Sequence, residues 1–313
     1  MKRFIKKILI FSFIVSLIYP FFIIGSAKIF GSNQKNLKFI PNRSWTKKTL
    51  EEADNYGDVN ILFLGSSHAY RGFDIRLFKK FGKSFNLGTT SQTPVQSYFL
   101  LKKYLNILKP EYIIIDIYFP LFESDGIESS IDIISNYFSI YNFKLLFLSP
   151  NPIVLNTLIY ANYYYLSNRN NYKIKEYQNK FDKYISGGFV ERKPQFYVSN
   201  ETFVKRKIKM NPTQKKAFEN MINLIKQKNI KYILIHSPIT KIEYISYTNT
   251  KELNDYIRQK GIFLNFNEIP IPLNDNLHFY DRHHLNQYGV HIFNKYLIEY
   301  LVKIFPELNK EKK

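Results

Sequence analysis

The chain contains no cysteine, and it is short of acidic residues, with 25 Asp and Glu against 45 Lys and Arg. Without thiols the fold can use neither disulfides nor thiolate metal sites, and an exported form would need no oxidative assistance. The compartment must therefore be read from other features. The formal charge of +20 comes from lysines scattered along the whole chain rather than from one basic block. Scatter supplies no stripe for nucleic acid and argues against a nucleic-acid partner. It does bias the surface toward anionic partners, such as phospholipid head groups or acidic polysaccharides. Long apolar runs are also scarce: one lies near the N-terminus, and no later stretch is long enough to span a membrane. No internal repeat is visible.

The single long run extends from Ile8 to Ile24, behind Lys2, Arg3, Lys6 and Lys7, and only Ser12, Ser16 and Pro20 interrupt it. Its length sits at the lower limit for crossing roughly 30 Å of hydrocarbon, so an uncleaved anchor and a signal peptide cleaved near Gly25 or Ala27 both remain open. The run exceeds the usual signal-peptide core, which favours the anchor over residues 1–27. The positive-inside rule then places the basic tail in the cytoplasm and everything after residue 28 outside, with secretion after cleavage as the alternative.

Residues 28–57 are polar and mixed, and read as a linker with a short helix around Thr46 to Ala53. A single α/β domain is expected over 58–313, interrupted by an insertion at about 120–210. Val59 to Leu64 is a buried strand stopping at Gly-Ser-Ser. Asp74 caps a short helix through Phe81, and Phe85 to Leu87 is a short strand closed by Gly88. Thr93-Pro94 opens a helix with Tyr98, Leu101, Leu105 and Leu108 on one face. Tyr112 to Tyr118 is a near-continuous apolar run, as a central parallel strand requires, with Asp116 its one polar residue.

The following stretch is rich in Tyr, Asn, Phe and Ile, helical from Pro152 to Leu166, and broken at Gly187-Gly188. It can cover a cleft, and Tyr160, Tyr163, Tyr164 and Tyr165 can either pack as a helix surface or stack on sugar rings. Alternation resumes with a helix at Pro212 to Lys228, a strand at Tyr232 to His236, a helix near Asn249 to Gln259 and a strand at Ile262 to Leu264. A last helix runs from about Asn286 to Ile304, with Val290, Phe293, Leu297, Leu301 and Ile304 inward. The pattern predicts a three-layer α/β/α sandwich with a mainly parallel, flavodoxin-like sheet of about five strands and a helical insertion, preceded by an N-terminal transmembrane helix. Right-handed crossovers put every loop after a strand along one edge, where sites form.

Two segments carry chemistry. Ser66 and Ser67 follow the first strand and precede helical sequence, so a hydroxyl sits near free backbone N–H groups that can stabilise an oxyanion. Asp281-Arg282-His283-His284 precedes the last helix, and the three-residue spacing of Asp281 and His284 lets a carboxylate hold one ring nitrogen while the other faces a serine. The same stretch offers a rival reading as a metal site through His278, Asp281, His283 and His284, with His236 the only distant addition. That reading leaves Ser67 and Gly88 unexplained, so no metal is assigned.

Together these segments resemble the SGNH hydrolase family, the G-D-S-L lipases and esterases. Phe63-Leu64-Gly65-Ser66-Ser67-His68 resembles the family's first block and would make Ser67 the nucleophile. Asn86-Leu87-Gly88 resembles the second, whose glycine N–H joins that of the nucleophile in the oxyanion hole, here Gly88 and Ser67. Asp281-Arg282-His283-His284 resembles the final Asp-x-x-His block, which implies an orienting Asp281 and a general base His284, with His283 out of register. His68, His236 and His283 remain as cleft-lining residues. The family's Gly-x-Asn-Asp block is missing, because Ile115-Asp116-Ile117-Tyr118-Phe119-Pro120 stands where it belongs.

Replacement of that block is similar to membrane-anchored relatives that modify envelope polymers. The resemblance implies a serine-dependent esterase or O-acyltransferase acting outside the cytoplasmic membrane on small acyl esters of an envelope glycan. It implies a possible multi-span membrane acyltransferase as partner, and no cofactor. A non-catalytic scaffold on the same fold is the alternative.

Overall fold

The computed structural model describes residues 1–167, 177–198 and 204–309. It opens with α1 (Lys2–Phe30), which leads through a small hairpin, β1 (Asn33–Gln34) and β2 (Leu37–Lys38), to α2 (Thr46–Ala53). The sheet begins with β3 (Ile61–Leu64), followed by α3 (Ser67–Gly72), a 3-10 helix over Ile75–Phe81, β4 (Ser84–Asn86), α4 (Pro94–Leu108) and β5 (Tyr112–Asp116). The insertion contributes α5 (Ile127–Asn136), α6 (Phe143–Leu148), α7 (Pro152–Ser167) and a hairpin of β6 (Asp182–Ile185) and β7 (Phe189–Arg192). The chain returns with α8 (Pro212–Gln227), β8 (Lys231–His236), α9 (Lys241–Ser246), α10 (Thr250–Arg258), β9 (Phe263–Asn265), α11 (Asp275–His278) and α12 (Gln287–Ile304).

The central sheet has five parallel strands in the order β4-β3-β5-β8-β9. In sequence order of its own strands this is 2-1-3-4-5, the doubly wound arrangement whose strand order reverses between β3 and β5. The loops after those two strands diverge to opposite faces of the sheet and leave a crevice at its C-terminal edge. Ser67 opens α3 directly after the turn that ends β3, at that crevice.

The sheet is covered on both faces, so strands read as continuous apolar runs rather than alternations. Leu62 and Leu64 of β3 join Ile113, Ile115 and Leu234 in one core with α4 and α8. Ile61 and Phe63 join Ile114, Ile233 and Ile235 in the other, against Phe293, Leu297 and Leu301 of α12. On α4 the buried face is Phe99, Leu100, Leu101, Tyr104, Leu105 and Leu108, while Tyr98 is only half-buried. Tyr98, expected on the same face as Leu101, Leu105 and Leu108, packs at the margin of that core, whose buried stripe is broader than one i, i+4 row. Ile304 likewise is only half-buried, packed at the margin of the α12 core.

The β6–β7 hairpin lies against the edge strand β4. The backbone N–H of Asn86 donates to the carbonyl of Gly187 at 2.7 Å. A Cβ on Gly188 would meet the Asn86 carbonyl oxygen at 1.9 Å, and φ is +97° at Gly187 and +90° at Gly188. The close approach and the left-handed turn both require glycine. On the other side of the insertion, the α7 tyrosines pack on the linker rather than into the crevice. Tyr160, Tyr164 and Tyr165 surround Phe39, with centroids 4.9–6.1 Å away, and Lys28 sits over the Tyr163 ring. Their expected alternative role in stacking sugars is not what these contacts serve.

Candidate active site

The nucleophile segment is placed by the sheet. β3 is wholly buried and ends at Gly65, where φ is +147° and an added Cβ would lie 2.7 Å from the Cβ of Asp116 and 3.0 Å from that of Ala69. Ser66 then caps α3, its hydroxyl accepting from the His68 backbone N–H at 3.3 Å. Ser67 is the first residue of α3, so its own N–H is one of the helix's free N-terminal donors.

The base segment is placed by its own backbone. Phe279 and Leu285 form an antiparallel bridge, with Tyr280 N–H donating to the His284 carbonyl at 3.1 Å. Inside this small loop Asp281 Oδ1 accepts the backbone N–H groups of His283 at 2.9 Å and His284 at 2.8 Å. Asn286 closes it: its side chain caps α12 through the Gly289 N–H and donates to the carbonyls of Leu277 and Gln195.

The two segments meet in an unbroken chain of contacts. His284 Nε2 lies 2.7 Å from Ser67 Oγ, and His284 Nδ1 lies 2.8 Å from Asp281 Oδ2. Burial raises the Asp281 carboxyl, but the His284 hydrogen bond, with the charges of His284 and His283 and a backbone N–H, outweighs it and holds the group well below the usual carboxylate range. An ionised Asp281 fixes the tautomer of His284 with the proton on Nδ1, leaving Nε2 as acceptor for the serine proton. The Tyr280 ring stacks parallel to His284 at 5.3 Å, with Arg192 4.3 Å and Arg71 5.9 Å from the ring centroid.

The insertion grips both segments. Arg71 of α3 makes a two-pronged pair with Asp182 of β6, both contacts 2.9 Å, and Arg192 of β7 reaches the same carboxylate at 3.2 Å. The Asp182 side chain is 1% exposed, so this pair sits in a desolvated environment where its geometry must be kept. Beyond the hairpin, Tyr197 N–H donates to the Phe279 carbonyl of the base loop. None of these partners carried a sequence motif.

The remaining predicted residues separate. His68 is buried beside Ser67 and His284, with Nδ1 3.2 Å from Ser66 Oγ and Nε2 3.2 Å from His283 Nδ1. His283, out of register by spacing, is thereby brought in. Burial first, then the neighbouring histidines, push His68 well below the usual imidazole range, and burial with the charge of His284 pushes His283 down to about 3. His236 does not line the crevice. It is 1% exposed at the end of β8, its ring against Phe119, and neither ring nitrogen has a partner among the described residues. Burial alone takes it down to about 3. Gly88 packs against α3, where an added Cβ would meet the Ser66 carbonyl at 3.0 Å and the Tyr70 nitrogen at 3.1 Å. Its N–H donates to Asn86 Oδ1 at 3.1 Å, so service to an oxyanion would mean sharing that hydrogen.

Where the Gly-x-Asn-Asp block is missing, β5 delivers Asp116 and Tyr118. Asp116 is buried behind Gly65, accepts from Ser237 Oγ at 2.5 Å, and is pushed up by burial to about 7. Tyr118 lays its ring on His68 at 4.0 Å. The metal set read from sequence is also rearranged. His278 turns away, with Nδ1 accepting from the Asn274 N–H, and the residues that present ring nitrogens within 4.8 Å of one another are His68, His283 and His284.

A scan against protein-family models gives no match, and a search of curated proteins gives none. Among solved structures the chain is similar to a GDSL-like lipase from Bacteroides thetaiotaomicron, at 11% identity and a TM-score of 0.41, covering 83% of this chain and 97% of that one. It is also similar to a protein assigned as an acylhydrolase from Bacteroides fragilis, at 14% identity and a TM-score of 0.36, covering 82% and 94%. The chemistry proposed below rests on the side chains of this chain and not on these likenesses.

Proposed function

We propose that this chain is a serine-dependent acyl-ester hydrolase or O-acyltransferase, anchored by α1 with its catalytic domain outside the cytoplasmic membrane. The observation that carries the reading is the Ser67–His284–Asp281 chain, with a 2.7 Å contact between Ser67 and His284, 217 positions apart, and a 2.8 Å contact from His284 to Asp281. Ser67 Oγ attacks the ester carbonyl carbon as its proton passes to His284 Nε2. The charge that develops on the carbonyl oxygen is met by the Ser67 N–H and the shared Gly88 N–H. His284 returns the proton to the departing alkoxide, leaving an acyl-serine. Water, or a sugar hydroxyl, then gives up its proton to His284 and takes the acyl group, and His284 passes that proton to the departing Ser67 Oγ.

Small acyl esters of an envelope polysaccharide suit an exported domain with a basic surface, and a multi-span acyltransferase in the same membrane is the natural donor partner. Neither nucleic acid nor a cofactor enters the scheme. The test is a fluorophosphonate probe on the full-length protein, read by peptide mass spectrometry. The expected result is a single adduct at Ser67 that His284→Ala abolishes, together with hydrolysis of a short-chain aryl ester. A folded protein with no adduct at Ser67 would falsify the serine mechanism and leave the scaffold reading.

One observation favours a second reading, a metal centre at the clustered ring nitrogens of His68, His283 and His284. Under it, a chelator removes activity and Ser67→Ala retains it. Under the serine mechanism a chelator leaves activity intact, and added Zn²⁺ inhibits by drawing His284 away from Ser67.

A further inference from the structure

One surface of the insertion exposes large apolar side chains with no role in the crevice. They are Phe138, Ile140, Tyr141, Phe143 and Phe147, around the α5–α6 connection and α6, with Phe147 85% exposed and Ile140 75% exposed. An apolar cluster of this kind on a folded surface marks an interaction site, and the way α1 meets the domain identifies the partner.

α1 packs alongside α7, and the two helices run in the same direction. The Tyr19 hydroxyl donates to Asn156 at the start of α7, and Lys28 sits over Tyr163 near its end. The N-terminal end of α7 therefore faces the end of the domain from which α1 emerges. Residues 1–18 are all exposed, so α1 leaves the domain at Tyr19. The apolar run, however, continues to Ile24. If α1 spans a bilayer from Ile8 to Ile24, Tyr19 lies about 8 Å inside the outer limit of that run, at ~1.5 Å per residue. Asn156 lies at the same level, and the first turn of α7 from Pro152 and the end of α6 at Leu148 lie on the bilayer side of it. A depth of about 5–10 Å is where an interfacial helix seats its apolar side chains.

We infer that α6 and the turn before it form a second, in-plane membrane contact, with Ile140, Phe143 and Phe147 set among the upper acyl chains and head groups of the leaflet into which α1 emerges. Lys144 lies among them, 4.1 Å over the Tyr141 ring, so its ammonium can reach anionic head groups while its stem stays on the aromatic. Two contacts fix the domain's tilt as well as its height, which one helix cannot do, and so fix the direction in which the crevice opens. The inference rests on α1 being an uncleaved anchor.

The absence of cysteine makes the test direct, because any introduced thiol is unique. Full-length Ile140→Cys, Phe143→Cys and Phe147→Cys, each carrying an environment-sensitive fluorophore, are placed in nanodiscs of phosphatidylcholine and phosphatidylglycerol at a three-to-one ratio. Each is quenched from the lipid side by shallow doxyl lipid and from the aqueous side by iodide. Ile10→Cys reports on the anchor itself, and Ile262→Cys, exposed beside β9, reports on the water-facing domain.

The expected result is strong doxyl quenching with iodide protection at 140, 143 and 147, as at position 10, and the reverse at 262. Lipid quenching at position 10 with iodide access at 143 and 147 overturns the in-plane contact while leaving the anchor standing. Iodide access at position 10 means that the anchor reading has failed first. Protection from both quenchers at 143 and 147, relieved by dilution to one chain per disc, assigns the patch to a second copy of the chain and likewise overturns the inference.

Discussion

The two segments that build the crevice are held in different ways. Ser67 is an extension of a buried strand: Gly65 is pressed between Asp116 and Ala69, and α3 is tied to the insertion through Arg71 and Asp182. His284 belongs to a loop that hydrogen-bonds to itself, with Asp281 serving both as orienting carboxylate and as acceptor for two loop N–H groups. Ser67 is thus positioned by a buried strand, and His284 chiefly by contacts within its own loop, to which Tyr197 and Thr240 add donors from outside. Damage near Ser67 should therefore cost stability, whereas damage in the base loop should cost mainly rate.

The largest expected effect sharpens that contrast. Ser67→Ala and His284→Ala each lower kcat by about 10⁴- to 10⁶-fold, and Asp281→Asn by about 10⁴-fold through loss of the required tautomer. Thermal unfolding of the serine and histidine variants should stay near wild type, and a large drop in Tm for His284→Ala would break the comparison. Gly65→Ala is the opposite case. Its strained φ and the Asp116 contact should cost about 3 kcal/mol or more, read as a fall in the urea midpoint, before any effect on rate is considered.

Acid should act next. His68, His236 and His283 are held neutral in the fold, with the last two near 3, so between pH 6.5 and 3 the unfolded chain binds more protons than the native one. Stability is present above the ordinary imidazole range and is lost as pH falls below it. Tm should drop from pH 7 to pH 5, and less steeply in His236→Met. Asn286→Ala removes the cap of α12 and the closure of the base loop. A stability cost of about 1–2 kcal/mol is expected, with a fall in kcat larger than any change in KM.

The smallest effect concerns Asp116. Its carboxyl is raised to about 7, so the native state holds a proton that the unfolded state releases from about pH 4 upward. The stability it contributes when protonated is present at low pH and lost as pH rises through 7. Asp116→Asn should raise Tm at pH 8 and leave it almost unchanged at pH 4. An equal gain at both would show that the carboxyl is not protonated where it sits.

Much of this plan was legible in the chain. The apolar runs at β3, β5 and β8 could only be strands covered on both faces, and the helix starts at Pro94, Pro212 and Gln287 follow Thr93, Asn211 and Asn286, residues that favour caps. The expected strand from Tyr112 to Tyr118 overran its observed end at Asp116, because Ile117 and Tyr118 stay apolar while the chain turns into a 3-10 helix over Phe119–Phe122. Ser67, Asp281 and His284 were picked out by the resemblance of their segments to the family's blocks rather than by periodicity.

What could not be read was the support. Asp182 and Arg192 lie in a hairpin of mixed polarity whose only local signal was Gly187-Gly188, and their partner Arg71 is more than a hundred residues away. α5 and α6 had no assignment because the apolar side chains around them face outward as well as inward. The expected insertion at about 120–210 includes residues 168–176 and 199–203, which lie outside the described residues.

The glycine pair that seats the hairpin on β4 has one more consequence. A parallel sheet ends in a row of free amides and carbonyls, an open template on which a neighbouring chain can polymerise. By covering the β4 border with a turn too tight for any other residue, the insertion removes that edge as a template for a second chain.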